Sequence, residues 1–258
     1  MRSIESLWIA LTTYSILPAP RVEWNERNMG FSICFLPVVG IVIGILLWLW
    51  YLLCQFLAIG DLLFAAGAII IPILVSGGIH LDGFADTVDA ISSHQSRERK
   101  LEILKDSNSG AFAVIYCGVY LVACLGLFSE LHQAESVAVL CCGYVLSRAI
   151  AALSAIILPN ARKNGMLATF TSHIDKKKAM AAIVVEIIVI LAAMIILSPC
   201  VGIICGIIAA VVLLLYRRLA LAIFGGATGD TTGCFLQICE LMLLFAVVFS
   251  QFILGVLR

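Results

Sequence analysis

Residues 31–57, FSICFLPVVGIVIGILLWLWYLLCQFL, contain no charged side chain, and this run decides the fold class. A helix needs about 20 mostly apolar residues to cross a bilayer, so the run predicts a membrane-spanning helix. The whole chain agrees: 62% of its 258 residues are hydrophobic, 12% are charged, and the mean hydropathy is +1.11. Such values are outside the range of soluble domains. We therefore expect an all-α, polytopic integral membrane helix bundle.

Further apolar blocks, bounded by charge, proline or glycine, extend this pattern along the chain. Together they predict about seven transmembrane helices, at 31–57, 62–80, 110–130, 136–158, 179–197, 200–216 and 236–256. We expect residues 1–258 to form a single helical membrane domain. It would begin with an interfacial helix at about 1–17 and carry its active-site residues in loops 81–109 and 217–235.

The basic residues fall into one of two sets of loops. Connections 57–62, 130–135 and 198–200 contain no Lys or Arg, whereas nearly all Lys and Arg residues fall in the other set. The positive-inside rule assigns the basic set to the cytoplasm, which predicts a cytoplasmic N-terminus and an active site facing the cytoplasm.

The formal net charge is zero, so nothing indicates nucleic acid as a partner. The ten cysteines lie in apolar runs without a C-x-x-C pair and are predicted to be packing residues.

The polar stretch after the second apolar block carries three regularly spaced carboxylates. In a helix, Asp82, Asp86 and Asp89 occupy positions i, i+4 and i+7 and share one stripe. No Lys or Arg lies between them, so they repel one another unless a cation binds, and oxygen ligands favour Mg²⁺ or Mn²⁺ over zinc. Gly83 would let a ligand or metal approach the backbone. The pattern favours a hard-metal site over a merely solvated acidic helix end.

Further candidate ligands lie downstream. Asp106, at the entrance to the third predicted span, is a possible additional metal ligand. The stretch 224–233, FGGATGDTTG, offers backbone amides for phosphate and Asp230 for a metal. A plain turn also fits this pattern, which is not a P-loop.

Several ionisable residues lie within or at the edge of predicted spans. Arg148 needs a partner there, either a carboxylate or a phosphate of the substrate. Glu186 and Glu240 are likewise intramembrane, and either is a candidate to pair with Arg148. His80 is equally compatible with a base, a phosphate partner or a helix cap.

Three motifs together resemble the cobalamin synthase family, the adenosylcobinamide-GDP ribazoletransferases. They are HLDGFADTVD at 80–89, KDS at 105–107 with Gly110, and GGATGDT at 225–231. The similarity extends along nearly the whole chain, including LPAP at 17–20 and LPVVG at 36–40. One departure is Ala90, where the family pattern has Gly.

The resemblance implies a Mg²⁺-dependent transferase of the bacterial or archaeal cytoplasmic (inner) membrane. In this reaction α-ribazole or its 5′-phosphate attacks the β-phosphorus of adenosylcobinamide-GDP, GMP leaves, and adenosylcobalamin or its 5′-phosphate forms. Other enzymes of the corrinoid pathway are implied as partners. The implied catalytic residues are His80, as base, and Asp82, Asp86 and Asp89. The implied metal ligands are Asp82, Asp86, Asp89, Asp106 and Asp230. The implied phosphate-binding residues are Lys105, Arg148, Gly225, Gly226 and Gly229.

Two other functions compete with this interpretation. A CDP-alcohol phosphotransferase also uses spaced aspartates, but its pattern would place Arg at position 86 and Asp at position 234, where this chain has Asp86 and Cys234. A carrier would place functional charges at the bilayer centre. The densest cluster of charges here is instead predicted at one membrane face.

Overall fold

The computed structural model describes residues 2–106, 108–162, 164–172 and 174–256. Ser107, which belongs to a motif quoted above, and the loop residue Lys163 lie outside the described residues. The described residues are almost entirely helical, which confirms the predicted fold class. A single parallel bridge, between Asn160 and Ala227, is the only β pairing in these ranges.

Twelve α-helices are present within the described residues. Their bounds are α1 Arg2–Tyr14, α2 Glu26–Ser32, α3 Leu36–Phe56, α4 Asp61–Ser76, α5 Ile79–Ser92, α6 Arg97–Ile103, α7 Ala111–Ser129, α8 Ala134–Ile157, α9 Met166–Ser172, α10 Lys176–Leu197, α11 Pro199–Leu219 and α12 Gly229–Val256. A 3₁₀ turn, Ile33–Phe35, joins α2 to α3, and a π-helical turn, Ala220–Phe224, extends α11.

Six helical segments within the described residues are long and apolar enough to cross a membrane by themselves. These segments are Met29–Phe56, Ala111–Ser129, Ala134–Ile157, Lys176–Leu197, Pro199–Phe224 and Gly229–Ile253. The pair α4 and α5 meets the same criteria jointly and supplies a seventh candidate span. The prediction of about seven spans is therefore confirmed.

The predicted second span, 62–80, is wrong at its C-terminal end. Helix α4 stops at Ser76, because Gly77 and Gly78 adopt left-handed backbone conformations with φ of 65° and 80°. Glycine adopts such angles without the steric penalty that a side chain imposes. Helix α5 then leaves at 92° to α4. Since α4 packs along α3 and α7, α4 is the part of this broken candidate span that runs with the bundle, and α5 runs across it.

The regions predicted as loops 81–109 and 217–235 are mostly helical. The first contains most of α5 and all of α6, and the second contains the end of α11 and the start of α12. Helix α12 begins seven residues before the predicted start at 236, because Thr228 and Thr231 cap it reciprocally. The Thr228 Oγ1 atom accepts the N–H of Thr231 at 3.1 Å, and the Thr231 Oγ1 atom accepts the N–H of Thr228 at 2.9 Å.

Helix α8 occupies the centre of the bundle. In its most apolar segment 78% of the residues are buried, against 11% for α10 at the periphery. Helix α3 packs closely on α8, because a side chain at Gly40 would lie 2.4 Å from the carbonyl oxygen of Tyr144. Small residues permit such close backbone contact between membrane helices. Gly40 therefore serves helix packing.

The two predicted sets of loops lie at opposite ends of the bundle. At one end, Asp61 and His132 approach to 3.6 Å, and the side-chain amide of Gln251 donates to the carbonyl of Glu130 at 3.2 Å. The other end, which we call the α5 end, contains α5, α6 and segments 158–162 and 225–228. There the N–H of Ala227 donates to the carbonyl of Pro159 at 2.8 Å.

Candidate active site

The three aspartates of α5 lie on one helix, so the predicted spacing is confirmed. His80 also belongs to α5, in its first turn, and not to the preceding span as predicted. Because the two glycines before α5 turn the chain by about a right angle, the helix presents its polar residues at the end of the bundle.

The crossing of α5 and α12 brings Asp230 to the α5 carboxylates. A side chain at Gly83 would lie 2.8 Å from the carbonyl oxygen of Asp230, and one at Gly233 would lie 3.3 Å from the carbonyl oxygen of His80. These two glycines allow the helices to touch backbone to backbone. The space beside Gly83 is therefore filled by α12 and not by a ligand or metal, which corrects the sequence-based interpretation.

The carboxylates at this crossing repel one another. Burial and the negative charges of Asp82, Asp230 and Asp89 raise the pKa of Asp86 to about 7, against a smaller opposing effect of Arg162. A bound cation would relieve this repulsion, because it favours the ionised carboxylates.

Arg162, which sequence reasoning did not single out, supplies positive charge at the cluster. Its Nη1 atom lies 3.6 Å from the Asp230 carboxylate, and its Nη2 atom donates to the carbonyl of Leu101 at 2.7 Å. The segment before it is held against α12 through the Asn160–Ala227 bridge. In the sequence, Arg162 is one of many basic loop residues, and no local pattern marks it as the one beside Asp230.

Asp89 lies on the same stripe but caps a neighbouring helix. Its carboxylate accepts the N–H of Gly110 and, at 2.8 Å, the N–H of Ala113, both at the N-terminus of α7. A carboxylate at this position satisfies free amides and opposes the positive end of the helix dipole. Each Asp89 oxygen thus accepts one backbone N–H of α7, and its assignment as a metal ligand stays a prediction.

A cavity of about 210 Å³ opens beside the cluster. Its polar wall is formed by His80, Asp82, Asn160, Arg162, Thr228 and Asp230. His80 is buried, and its Nε2 atom has no hydrogen-bond partner among the residues that the structure describes. Burial and the positive charge of Arg148 lower the pKa of His80 to about 3, so the imidazole is neutral.

Arg148 is paired inside the bundle with Glu240. The guanidinium donates to the Glu240 carboxylate and, at 3.0 Å, to the carbonyl of Tyr144, and Ser147 Oγ donates to the same carboxylate at 3.1 Å. Arg148 is 1% exposed and is not part of the cavity wall. The predicted pairing with an intramembrane carboxylate is thus confirmed for Glu240, and the alternative contact with a substrate phosphate does not fit this geometry.

The glycine-rich stretch does not offer the predicted phosphate cradle at its start. The N–H groups of Gly225 and Gly226 both donate to the carbonyl of Ala220, which closes the end of the π-helical turn. Gly229 lies on the cavity wall at the first turn of α12. Helix N-termini present amides without intrahelical partners. Of Gly225, Gly226 and Gly229, the last is therefore the one whose position suits the predicted contact with phosphate.

Lys105 and Asp106 lie away from the cluster. Both are exposed just after α6, and neither is part of the cavity wall. The Asp106 carboxylate accepts the backbone N–H of Asn108 at 3.0 Å and its side-chain amide at 2.9 Å, so it stabilises a local turn. The structure does not bring either residue to the α5 carboxylates.

The donor chemistry at the crossing suits a magnesium ion. Within the described ranges no three His, Cys, Asp or Glu side chains come close enough to form a metal site by themselves. Mg²⁺ usually takes one or two protein carboxylates and fills its remaining positions with water and substrate phosphates. Asp82 and Asp230, which both lie on the cavity wall, offer this kind of incomplete oxygen site, and the nearby charge of Asp86 adds to the negative potential there.

The fold and the site together define a multi-pass membrane protein with a carboxylate-rich cavity at one end of its helix bundle. The family model described as cobalamin-5-phosphate synthase matches residues 6–248. The chain belongs to this family.

Similar proteins cover almost the whole chain. A protein of Lachnoclostridium phytofermentans named adenosylcobinamide-GDP ribazoletransferase is 42% identical over 97% of this chain and 96% of its own length. A protein with the same name from Clostridium botulinum strain Alaska E43 is 32% identical and covers 94% of this chain and 96% of its own length. Another, from Acinetobacter baumannii strain ACICU, is 31% identical and covers 96% of this chain and 98% of its own length. No solved structure matches the chain significantly.

Proposed function

We propose that this protein is an adenosylcobinamide-GDP ribazoletransferase that joins α-ribazole, or its 5′-phosphate, to the corrinoid. A ribose hydroxyl oxygen forms a bond to the β-phosphorus, and the bond from that phosphorus to the bridging oxygen breaks. GMP leaves with the electron pair, and the hydroxyl gives up its proton. The products are GMP and adenosylcobalamin or its 5′-phosphate. Family membership supports the overall reaction.

The observation that carries the proposal is that Asp82, Asp230 and Arg162 line one cavity and that the negative charge of Asp86 lies close to them. Phosphoryl transfer between anionic partners depends on positioning and on neutralisation of charge more than on covalent catalysis. Asp82 and Asp230 would hold Mg²⁺, with the charge of Asp86 close by, and the ion would supply positive charge to neutralise the diphosphate. Arg162 and the first amides of α12 at Gly229 face the same space and would contact phosphate oxygens.

His80 is the proposed acceptor of the hydroxyl proton. Its neutral imidazole belongs to a residue of the cavity wall, and its buried Nε2 atom has no hydrogen-bond partner among the described residues, so a small rotation of the ring would be needed to reach the substrate. The low pKa belongs to the substrate-free protein, and a bound diphosphate would raise it by placing negative charge beside the imidazole. After GMP leaves, this charge is lost and the proton passes to solvent.

The buried charges do not favour the carrier alternative. A carrier would expose charges along a path through the bilayer centre. Here Arg148 is compensated by Glu240 and is 1% exposed. Glu186, the other predicted partner of Arg148, does not pair with it: Arg148 pairs with Glu240, and the Glu186 Oε2 atom in α10 is buried with no hydrogen-bond partner among the described residues.

We assign the protein to the cytoplasmic membrane, with the N-terminus and the α5 end inside and other corrinoid-pathway enzymes as partners. Asp61→Cys and Lys177→Cys, each in a Cys200→Ser background, test the orientation, because these exposed positions lie in the two opposite sets of loops. A membrane-impermeant maleimide added to intact cells should label position 61 only. Labelling of position 177 would reverse the assignment.

The reaction is tested with the full chain in lipid nanodiscs, supplied with adenosylcobinamide-GDP, α-ribazole and Mg²⁺. Chromatography should detect GMP and adenosylcobalamin in equal amounts, and a chelator should stop both until Mg²⁺ is restored. The Lachnoclostridium phytofermentans relative serves as the positive control. Absence of GMP under conditions in which that relative is active would refute the proposed function.

A further inference from the structure

The cavity beside the cluster has an apolar side that the phosphate chemistry does not use. This side is formed by α1, the start of α3, α8 and α9, and includes Tyr14, Leu36, Ala155 and Phe170. Phe170 is 1% exposed, and its ring centroid lies 6.2 Å from that of Tyr14 at an interplanar angle of 43°. Two aromatic side chains and alanines of α8 are therefore among the residues that form the apolar side.

The wall also contains unsatisfied polar groups. The Nε2 atom of His80 and the Nε atom of Arg162 are buried without hydrogen-bond partners, and His80 is 6% exposed. The same wall carries the side chains of Asp82, Asn160 and Thr228, which can form hydrogen bonds with the polar groups of a ligand. The cavity is thus suited to a molecule with an apolar ring at one end and polar groups at the other.

The size of the cavity limits which ring can enter. An apolar cavity of about 150 Å³ is sufficient for benzene, so about 210 Å³ is suited to a slightly larger planar ring and is far too small for a corrinoid macrocycle. Guanine would also be small enough. Its edge, however, carries several hydrogen-bonding groups, and the apolar side offers them mainly alanine, leucine and aromatic surfaces.

We propose that this cavity binds the benzimidazole base of the incoming ribazole, with the ribose directed toward His80 and Asp82. The proposal rests on the proposed function and adds the place and orientation of the nucleophilic substrate. The base would pack between the Phe170 ring and the alanines of α8, where aromatic contacts add to the burial of apolar surface. The diphosphate substrate would then approach from the side of Arg162 and Asp230.

The test measures binding of each substrate separately to the full chain in nanodiscs. Ala155→Leu places three additional carbon atoms in the cavity, and Ala182→Leu, at an exposed position of α10, is the matched control. Equilibrium dialysis should show a Kd for α-ribazole at least tenfold higher for Ala155→Leu than for the control. The Kd for adenosylcobinamide-GDP should change by less than twofold.

A second variant guards against a packing defect in the first. Phe170→Leu keeps the site apolar but removes one aromatic ring, and it should weaken α-ribazole binding by about threefold to tenfold. An increased Kd for adenosylcobinamide-GDP with unchanged α-ribazole binding would overturn the proposal and assign the cavity to guanine. Failure of the wild-type protein to bind α-ribazole would also overturn the proposal. Because binding is measured without turnover, these outcomes are distinct from a failure to release GMP, which would refute the proposed function.

Discussion

The charged groups inside the bundle and those at the α5 end differ in how their charges are compensated. In the interior, Arg148 and Glu240 form a pair of one cation and one anion, supported by the Ser147 hydroxyl. At the α5 end, Arg162 is the one cation that the described residues place beside the carboxylates of Asp82, Asp86 and Asp230. The first group is complete without a ligand. The second carries excess negative charge and is suited to a metal ion.

His80 lies between the two groups. It lines the cavity at the α5 end, yet the positive charge of Arg148 acts on its imidazole. The interior pair therefore contributes to the electrostatic environment of the site without touching the cavity. The comparison assigns Arg148 and Glu240 a positioning and stabilising role, and the α5 end the contact with substrate.

The largest expected effect is on turnover, for Asp82→Asn. Removing this charge weakens the metal site while preserving the size of the side chain, so we expect kcat to fall about 10³-fold, equivalent to about 4 kcal/mol in the activation barrier. GMP release under saturating substrates and Mg²⁺ is the measurement. Asp61→Asn at the opposite end is the control and should retain wild-type activity. A rate for Asp82→Asn within threefold of wild type would remove Asp82 from the site.

Glu240→Leu should have the largest effect on stability. It leaves the Arg148 guanidinium buried without its carboxylate, a loss of about 3 kcal/mol for an uncompensated buried charge. Adding Arg148→Met removes the stranded charge, so the double variant should be more stable than Glu240→Leu. Unfolding in mixed detergent measures both. If the double variant were less stable than the single one, the pair would not be the source of the loss.

The sequence predicts the composition of the site better than its assembly. The spacing of Asp82, Asp86 and Asp89 predicts the stripe because helical periodicity is local. The direction in which Asp89 points depends on α7, which the local pattern does not reveal. Arg162 reaches Asp230 only because a backbone bridge holds two distant segments together. Span positions are similarly predictable from apolar runs, whereas the end of α4 depends on left-handed glycines.

The backbone contact at Gly83 predicts an intermediate effect. In Gly83→Ala the new Cβ would lie 2.8 Å from the Asp230 carbonyl oxygen, so α5 and α12 must separate, at a cost of about 1–3 kcal/mol. Because the shift moves Asp230 away from α5, kcat should fall about tenfold. Gly118→Ala is the matched control, because nothing lies within 4 Å of its Cβ position in α7. Equal behaviour of the two variants would contradict the close crossing.

The smallest expected effect separates Asp89 from the rest of its stripe. Asp89→Ala should destabilise the protein by about 1 kcal/mol, the usual cost of a lost helix cap, because two N–H groups of α7 lose their acceptor. Asp89→Asn retains an acceptor oxygen and should be closer to wild type in both stability and Mg²⁺ dependence. The measurements are thermal unfolding and the Mg²⁺ concentration that gives half-maximal GMP release. If Asp89→Asn instead lost as much activity as Asp82→Asn, Asp89 would act as a metal ligand during catalysis, and α5 would have to release α7 to allow it.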